Sequence, residues 1–190
     1  KTRLFGLKNK TYKELFMKTA KRFAMLAGLA LALMAVPSFA GETAKAAPES
    51  DFEFKISEDL TFIELTGYKG NAKNLVIPET IQGMPVEVIG EYFAGYDGNN
   101  KIKSVVIPSS VKVIECSAFL DCESLEKVTL PEGLLCIGGA AFDGTGLTSV
   151  TLPKSLEYLS RAFNECDKLA EINIPDDAAF LVKNATEVAV

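Results

Sequence analysis

The sequence predicts a mostly β protein, a solenoid of short strands with an N-terminal β-hairpin cap. Five copies of a short apolar phrase support this fold, and each ends in proline, at positions 78, 108, 131, 153 and 175. The last three intervals between these prolines are 23, 22 and 22 residues, which indicates a repeat architecture. No segment after Pro37 shows a sustained period of 3.6 residues, so we expect little helix.

Apolar and polar residues alternate within each phrase, as expected for a very short strand with one buried side. Val128 and Leu130 flank Thr129, and the next copy repeats this arrangement around Thr151. The proline that follows has no N–H and therefore ends the strand. Because one unit cannot bury its apolar side alone, the copies are expected to stack.

A second apolar half follows the prolines of the three middle copies. Its first members are Val111 with Ile114, Leu134 with Ile137, and Leu156 with Leu159. An Ala-Phe pair comes next, and its aromatic residues are Phe119, Phe142 and Phe163, with Phe93 in the same slot of an earlier copy. We expect each of these side chains to pack on its equivalent one repeat away, so that the core is a column.

Two alternating runs before the repeats predict a β-hairpin. The runs are residues 52–56 and 61–65, and a polar turn at 57–59 separates them. We expect this hairpin to cap the open end of the stack, as a terminal unit must. The predicted boundaries are 52–70 for the cap and 52–190 for a single repeat domain.

Residues 1–40 are predicted to be a leader that includes a secretory signal peptide at 17–40. Three basic side chains precede an apolar run at 23–36, and small residues occupy positions −3 and −1 of a cut before Gly41. The run is shorter than the roughly 17–25 residues of a membrane-spanning helix, and the alternative is a buried core helix. We therefore expect a secreted, cell-surface or periplasmic protein with no stable membrane span, and a linker at 41–51.

Composition excludes several function classes. Without the leader the chain has 12 basic and 24 acidic residues, a net charge of −12, and we therefore expect no nucleic-acid partner. The chain contains no histidine, which excludes Ser-His-Asp and Cys-His catalysis and the H-E-x-x-H zinc site. With no C-x-x-C pair either, we expect no enzymatic activity, no cofactor and no bound metal.

The stretch VVIPSSVKVIECSAFLDCESLEKVTLP resembles the BspA-type leucine-rich repeat, also called the Treponema pallidum-type. The residues that fall on its pattern are Ile107, Pro108, Val111, Ile114, Ala118, Phe119, Cys122, Leu125, Val128 and Leu130. The resemblance covers residues 72–175, and a typical entry segment extends it to about residue 52. It implies a right-handed leucine-rich-repeat solenoid of about five repeats, of the kind found in secreted and surface proteins. The third copy departs from the pattern, because Thr145 replaces its cysteine.

The four cysteines lie in different slots of the repeat. Cys122 and Cys166 share one slot two layers apart, which places their Cα atoms roughly 9–10 Å apart. A disulfide needs less than about 7 Å, so we expect these two to be small buried hydrophobic residues. Cys116 and Cys136 lie in adjacent layers, three positions out of phase, and the sequence leaves open whether they form a bridge.

The candidate partner-binding residues lie on the outward side of the repeated strands. Thr129 and Thr151 occupy the outward middle position, and Lys127 and Ser149 lie two positions before them. Solenoids commonly bind along such faces, although the row is equally consistent with the plain solvent side of a sheet. A second candidate patch consists of Tyr92 and Tyr96, with Met84 nearby, because aromatic residues on irregular loops often anchor partners.

These observations predict an extracellular protein-binding module with an adhesin-like role. The expected partner is an extracellular protein. The alternative is a structural envelope component that assembles with itself through an open end of the solenoid and has no separate ligand.

Overall fold

The structure, a computed structural model, describes residues 45–95 and 101–175. These residues form one 3-10 helix, Glu49–Asp51, and twelve strands. The strands are β1 (Phe52–Ile56), β2 (Ile63–Tyr68), β3 (Asn74–Val76), β4 (Thr80–Ile81), β5 (Met84–Ile89), β6 (Ser104–Val106), β7 (Val113–Ile114), β8 (Lys127–Thr129), β9 (Cys136–Ile137), β10 (Ser149–Thr151), β11 (Tyr158–Leu159) and β12 (Glu171–Asn173). No helix within these two ranges is long and apolar enough to cross a membrane. The predicted leader lies outside the described residues.

Successive coils pair in parallel on two sides of the solenoid. Strands β1, β2, β5, β7, β9 and β11 are neighbours in that order, all parallel except for the antiparallel pair β1–β2 of the cap hairpin, and β4 also pairs antiparallel with β5. The repeated phrases form β3, β6, β8, β10 and β12, and we call the outward side of these five strands the strand face. The predicted mostly β solenoid with a hairpin cap is confirmed.

Proline ends the strands of the strand face by removing a donor. In three of the copies the residue before the proline still donates its N–H to the next coil. These bonds join Ile77 to the Val106 carbonyl (3.2 Å), Ile107 to the Thr129 carbonyl (3.0 Å) and Leu152 to the Asn173 carbonyl (3.0 Å). The proline has no N–H to continue the ladder, so the chain turns there.

The core is a column of equivalent side chains, as the repeat predicts. Phe93, Phe119 and Phe142 are fully buried, and Phe163 is 8% exposed. The rings of Phe119 and Phe142 stack with centroids 5.2 Å apart, and those of Phe142 and Phe163 with centroids 5.5 Å apart. Each aromatic ring therefore contacts its equivalent in the next coil, which confirms the register of the repeat.

The cap hairpin is confirmed, but its second strand begins at Ile63 rather than at residue 61. The turn is longer because polar side chains bind its backbone. The Ser57 hydroxyl oxygen accepts the N–H groups of Thr61 (3.0 Å) and Phe62 (3.1 Å). The Asp59 carboxylate accepts the hydroxyls of Ser57 (2.7 Å) and Thr61 (2.8 Å), which holds these residues outside the ladder.

The end of the predicted linker packs against the solenoid. Ala47 is partly buried against the core, and its N–H donates to the Val76 carbonyl at 2.9 Å. The Glu49 carboxylate accepts the N–H of Gln82 at 3.3 Å. Residues 47–51 therefore cover the outer edge of β3, while the domain boundaries stay a prediction.

Candidate functional site

The strand face presents two rows of side chains to solvent. The middle row is Val76, Val106, Thr129, Thr151 and Asn173, and the row at the strand starts is Asn74, Ser104, Lys127, Ser149 and Glu171. The four candidates Thr129, Thr151, Lys127 and Ser149 are all exposed. The alternation predicted from the sequence is confirmed, because Val128 and Val150 between them are buried.

The strand face consists of two separate ladders. Strands β3, β6 and β8 form the first ladder, and β10 and β12 form the second. In the first, Thr129 pairs with Val106, and in the second, Thr151 pairs with Asn173. The two central candidates therefore lie on either side of a break, although the sequence predicts one continuous row.

A shortened turn precedes the break. Leu147 follows Phe142 by five positions, whereas the corresponding interval in the copies before and after is six. Both Phe142 and Leu147 are fully buried, so the shorter segment must cross between fixed points of the core. Within this turn, the Cα of Gly146 approaches the Glu123 carbonyl so closely that a Cβ would clash with it.

A lysine cluster lies where the first ladder begins. It consists of Lys73, Lys101, Lys103 and Lys127, and all four are exposed. Backbone bonds place its members side by side: the Lys103 N–H donates to the Lys73 carbonyl (2.6 Å), and the Lys127 N–H to the Lys103 carbonyl (3.3 Å). The net charge does not predict this cluster, because it does not show where the charges lie. The signal in the sequence is an alignment of the five copies by their prolines, which places Lys73, Lys103 and Lys127 four or five positions before a proline.

The tyrosine patch is described only in part. Tyr92 is partly buried and has a positive φ of 54°, and Tyr96 lies outside the described residues. Met84 belongs to β5 and packs, partly buried, against the core, so it is less available for binding than the sequence suggests.

The cysteine slot differs from one coil to the next. Cys122 is fully buried, as predicted. The same prediction for Cys166 is confirmed only in part: Cys166 packs against the core but is partly buried, and its thiol donates to the Phe142 carbonyl (3.1 Å). The buried Thr145 hydroxyl lies 3.2 Å from the Cys166 sulfur.

The remaining two cysteines lie in adjacent coils. All four cysteines are thiols in the structure. Burial, with smaller contributions from Cys116 and Glu115, raises the pKa of the Cys136 thiol to about 12. This thiol is therefore a poor nucleophile at neutral pH. Among the described residues, no group of three or more acidic or thiol side chains is arranged to hold a metal ion.

Two carboxylates form hydrogen bonds between neighbouring coils, and their pKa values shift in opposite directions. Glu79 accepts the N–H and hydroxyl of Ser109 and the N–H of Ser110, each at 3.0 Å. Burial raises the pKa of Glu79, but the bonds from these serines together outweigh it and lower the pKa. Asp143 accepts the Asn164 N–H (2.7 Å), yet burial and the nearby carboxylates of Glu165 and Asp121 raise its pKa.

Solved structures of bacterial leucine-rich-repeat proteins resemble this chain. A leucine rich repeat protein from T. pallidum is 28% identical with a TM-score of 0.56, over 69% of this chain and 72% of that one. One from Bacteroides capillosus is 29% identical with a TM-score of 0.56, over 66% of this chain and 94% of that one. A leucine rich cell surface protein from Faecalibacterium prausnitzii is 25% identical with a TM-score of 0.50, over 72% of this chain and 44% of that one.

A comparison with curated proteins found no match. The family described as BspA type leucine rich repeat region matches residues 87–186 in 6 copies, which is more than half of the chain. Its repeat is the one seen in the strands, prolines and stacked phenylalanines above. The chain belongs to the BspA-type leucine-rich-repeat family.

Proposed function

We propose that this protein is an exported protein-interaction module with an adhesive role toward host or neighbouring-cell proteins. The partner binds the strand face around Thr129 and Thr151, with Lys127 and Ser149 beside them. The observation that carries the proposal is the exposure of these four side chains in two neighbouring coils, directly above a buried layer. Such short side chains lose little conformational entropy when a partner covers them, lysine excepted.

Two further observations support this role. The similar structure from Faecalibacterium prausnitzii is described as a cell surface protein, and this agrees with the signal peptide predicted at 17–40. Stacked repeats form extended surfaces that solenoid proteins use for binding. The break between β8 and β10 lies beneath the proposed contact, so a partner that spans Thr129 and Thr151 bridges both ladders.

The test is a pair of double variants against one identified protein partner, obtained by pull-down from host matrix or culture medium. Thr129→Tyr with Thr151→Tyr places two rigid, uncharged rings on the face without changing a buried residue. We expect affinity to fall at least about tenfold and the melting temperature to stay nearly unchanged, because both positions are exposed.

The control pair is Tyr92→Ala with Tyr96→Ala. If this pair loses the partner and the strand-face pair retains it, the binding site is the tyrosine patch. Light scattering over a range of concentrations tests the alternative role, since a ladder of sizes without any partner would favour self-assembly.

A further inference from the structure

The lysine cluster has the opposite charge to the rest of the described chain. Acidic residues outnumber basic residues in these ranges, yet four lysines gather where β3, β6 and β8 begin. Glu126, which directly precedes β8, is a carboxylate beside these lysines, and its N–H donates to the Lys103 carbonyl at 2.8 Å. This end of the strand face therefore presents a local positive surface.

The salt bridges in the described part of the molecule involve lysines other than Lys73, Lys103 and Lys127. Lys55 and Lys69 form salt bridges with Glu64 and Glu53, at 2.7 and 2.6 Å. Lys73, Lys103 and Lys127 form none with a described residue. Lys101 differs from them, because its ammonium group donates to the Asn71 side chain at 2.8 Å.

The cluster is small, and its size limits the partner. Adjacent strands are about 4.8 Å apart, so Lys73, Lys103 and Lys127 span roughly 10 Å across three strands. A long polyanion, such as a nucleic acid or a sulfated polysaccharide, would extend beyond these lysines to the uncharged Ser149 and the acidic Glu171 at the next strand starts. The two exposed rows also contain no aromatic ring on which a nucleotide base would stack. A short acidic peptide segment matches the size and the sign of the patch.

We propose that the partner presents a short acidic peptide segment to the first ladder of the strand face, where Lys73, Lys103 and Lys127 bind its carboxylates. Asn74 lies in the same row of strand starts as Lys127, and Thr129 lies in the middle row. The Asn74 oxygen accepts the Ser104 hydroxyl (2.9 Å), so its N–H groups and the Thr129 hydroxyl offer hydrogen bonds to the backbone of the peptide. This inference rests on the proposed function, because it names the partner chemistry of that same face.

The test uses the full chain and a labelled peptide of about ten residues that has Asp-Thr-Asp-Thr at its centre and uncharged residues on both sides. At about 3.3 Å per residue, this acidic stretch matches the roughly 10 Å span of the three lysines. Its control peptide replaces each aspartate with asparagine. We expect fluorescence anisotropy to show binding of the aspartate peptide at low ionic strength, weaker binding as salt is added, and no binding of the asparagine peptide.

Two matched charge reversals locate the site. Lys103→Glu with Lys127→Glu should lower the affinity for the aspartate peptide at least about tenfold. Arg161→Glu with Lys168→Glu makes the same change in net charge at exposed positions of the last coils, and should lower it less than about twofold. Equal losses in both pairs, equal binding of both peptides, or no binding at low salt would each overturn the inference. Tighter binding of a heparin fragment than of the peptide, abolished by the same Lys103 and Lys127 changes, would also overturn it.

Failure of this inference is distinguishable from failure of the proposed function. If the identified protein partner is lost with Thr129→Tyr and Thr151→Tyr but retained with Lys103→Glu and Lys127→Glu, the face is the site and the acidic segment is wrong. If the partner is retained in both double variants, the proposed site itself is wrong.

Discussion

The two ladders of the strand face share a repeat phrase but differ in charge and in their connections. The first ladder, β3–β6–β8, begins beside a lysine cluster, and its first two coils are joined by Glu79. The second ladder, β10–β12, ends with Glu171 at a strand start, and the coils that carry it are joined by Asp143, a carboxylate with a raised pKa that accepts the Asn164 N–H. The repeat thus fixes the buried layer of every coil, while the polar contacts between coils are set copy by copy.

The largest expected effect falls on the layer that both ladders share. Phe119→Ala and Phe142→Ala should each lower the free energy of unfolding by about 3–5 kcal/mol, because each removes a fully buried ring. The two costs should agree within about 1 kcal/mol, since each ring contacts an aromatic ring in both neighbouring coils, edge to face for Phe119 with Phe93 and stacked for the other pairs. Urea denaturation measures both values. A cost below roughly 1 kcal/mol for either would place that residue outside the core.

The turn before the break should show the next largest effect. Gly146→Ala should cost about 1–3 kcal/mol, because its Cβ would clash with the Glu123 carbonyl. The matched control is Gly139→Ala, whose Cβ would lie 3.6 Å from the Ser160 carbonyl, an ordinary contact. We expect the control to change stability by less than about 0.5 kcal/mol in the same denaturation experiment. Equal costs at both glycines would show that the shortened turn is not tightly packed.

Glu79→Gln should destabilise the first ladder by about 1 kcal/mol at neutral pH, because it weakens bonds to an ionised acceptor. The pKa of Glu79 is lowered in the folded state, so its contribution is present above the unfolded pKa and is lost as pH falls through the folded pKa. The difference in stability between wild type and variant should therefore shrink as the solution is acidified below about pH 4. A difference that is constant with pH would contradict this role.

Asp143→Asn should have the smallest effect and the opposite sign. The folded-state pKa of Asp143 is raised. Its ionised carboxylate therefore destabilises the folded state above the folded pKa, and this loss of stability disappears below the unfolded pKa. We expect the variant to gain less than about 1 kcal/mol at neutral pH, since the group is partly solvated. Thermal melts at pH 7 and at pH 3 measure this, and a gain that persists at the lower pH would argue against the burial of an ionised carboxylate as the cause.

The period of the sequence predicted the fold because the buried layer obeys it. Positions such as Val128, Val150 and the phenylalanine slot recur in the middle copies, and their burial follows directly. The candidate site was predicted only in part. Exposure of Thr129 and Thr151 follows from alternation, but their separation into two ladders is a matter of backbone bonds between coils, which alternation does not encode.

The lysine cluster shows that a negative net charge is compatible with a local positive surface. Lys73, Lys103 and Lys127 come from three copies and lie 30 and 24 positions apart, so they become neighbours only when the strands pair. Glu79 is similar, because its partners Ser109 and Ser110 are supplied by the next copy. Such contacts can be predicted only when the residues that pair between neighbouring coils are known. The repeat identifies these pairs once the different lengths of the copies are taken into account.

Hydrogen exchange at the residues before the prolines tests the division of the strand face most directly. The N–H groups of Ile77, Ile107 and Leu152 donate to the next coil, whereas that of Leu130 donates to no described residue. Native-state exchange followed by NMR should therefore show slow exchange at Ile107 and Leu152 and markedly faster exchange at Leu130. Equal protection at all of these amides would show that β8 and β10 belong to one continuous sheet, and would contradict the two-ladder account.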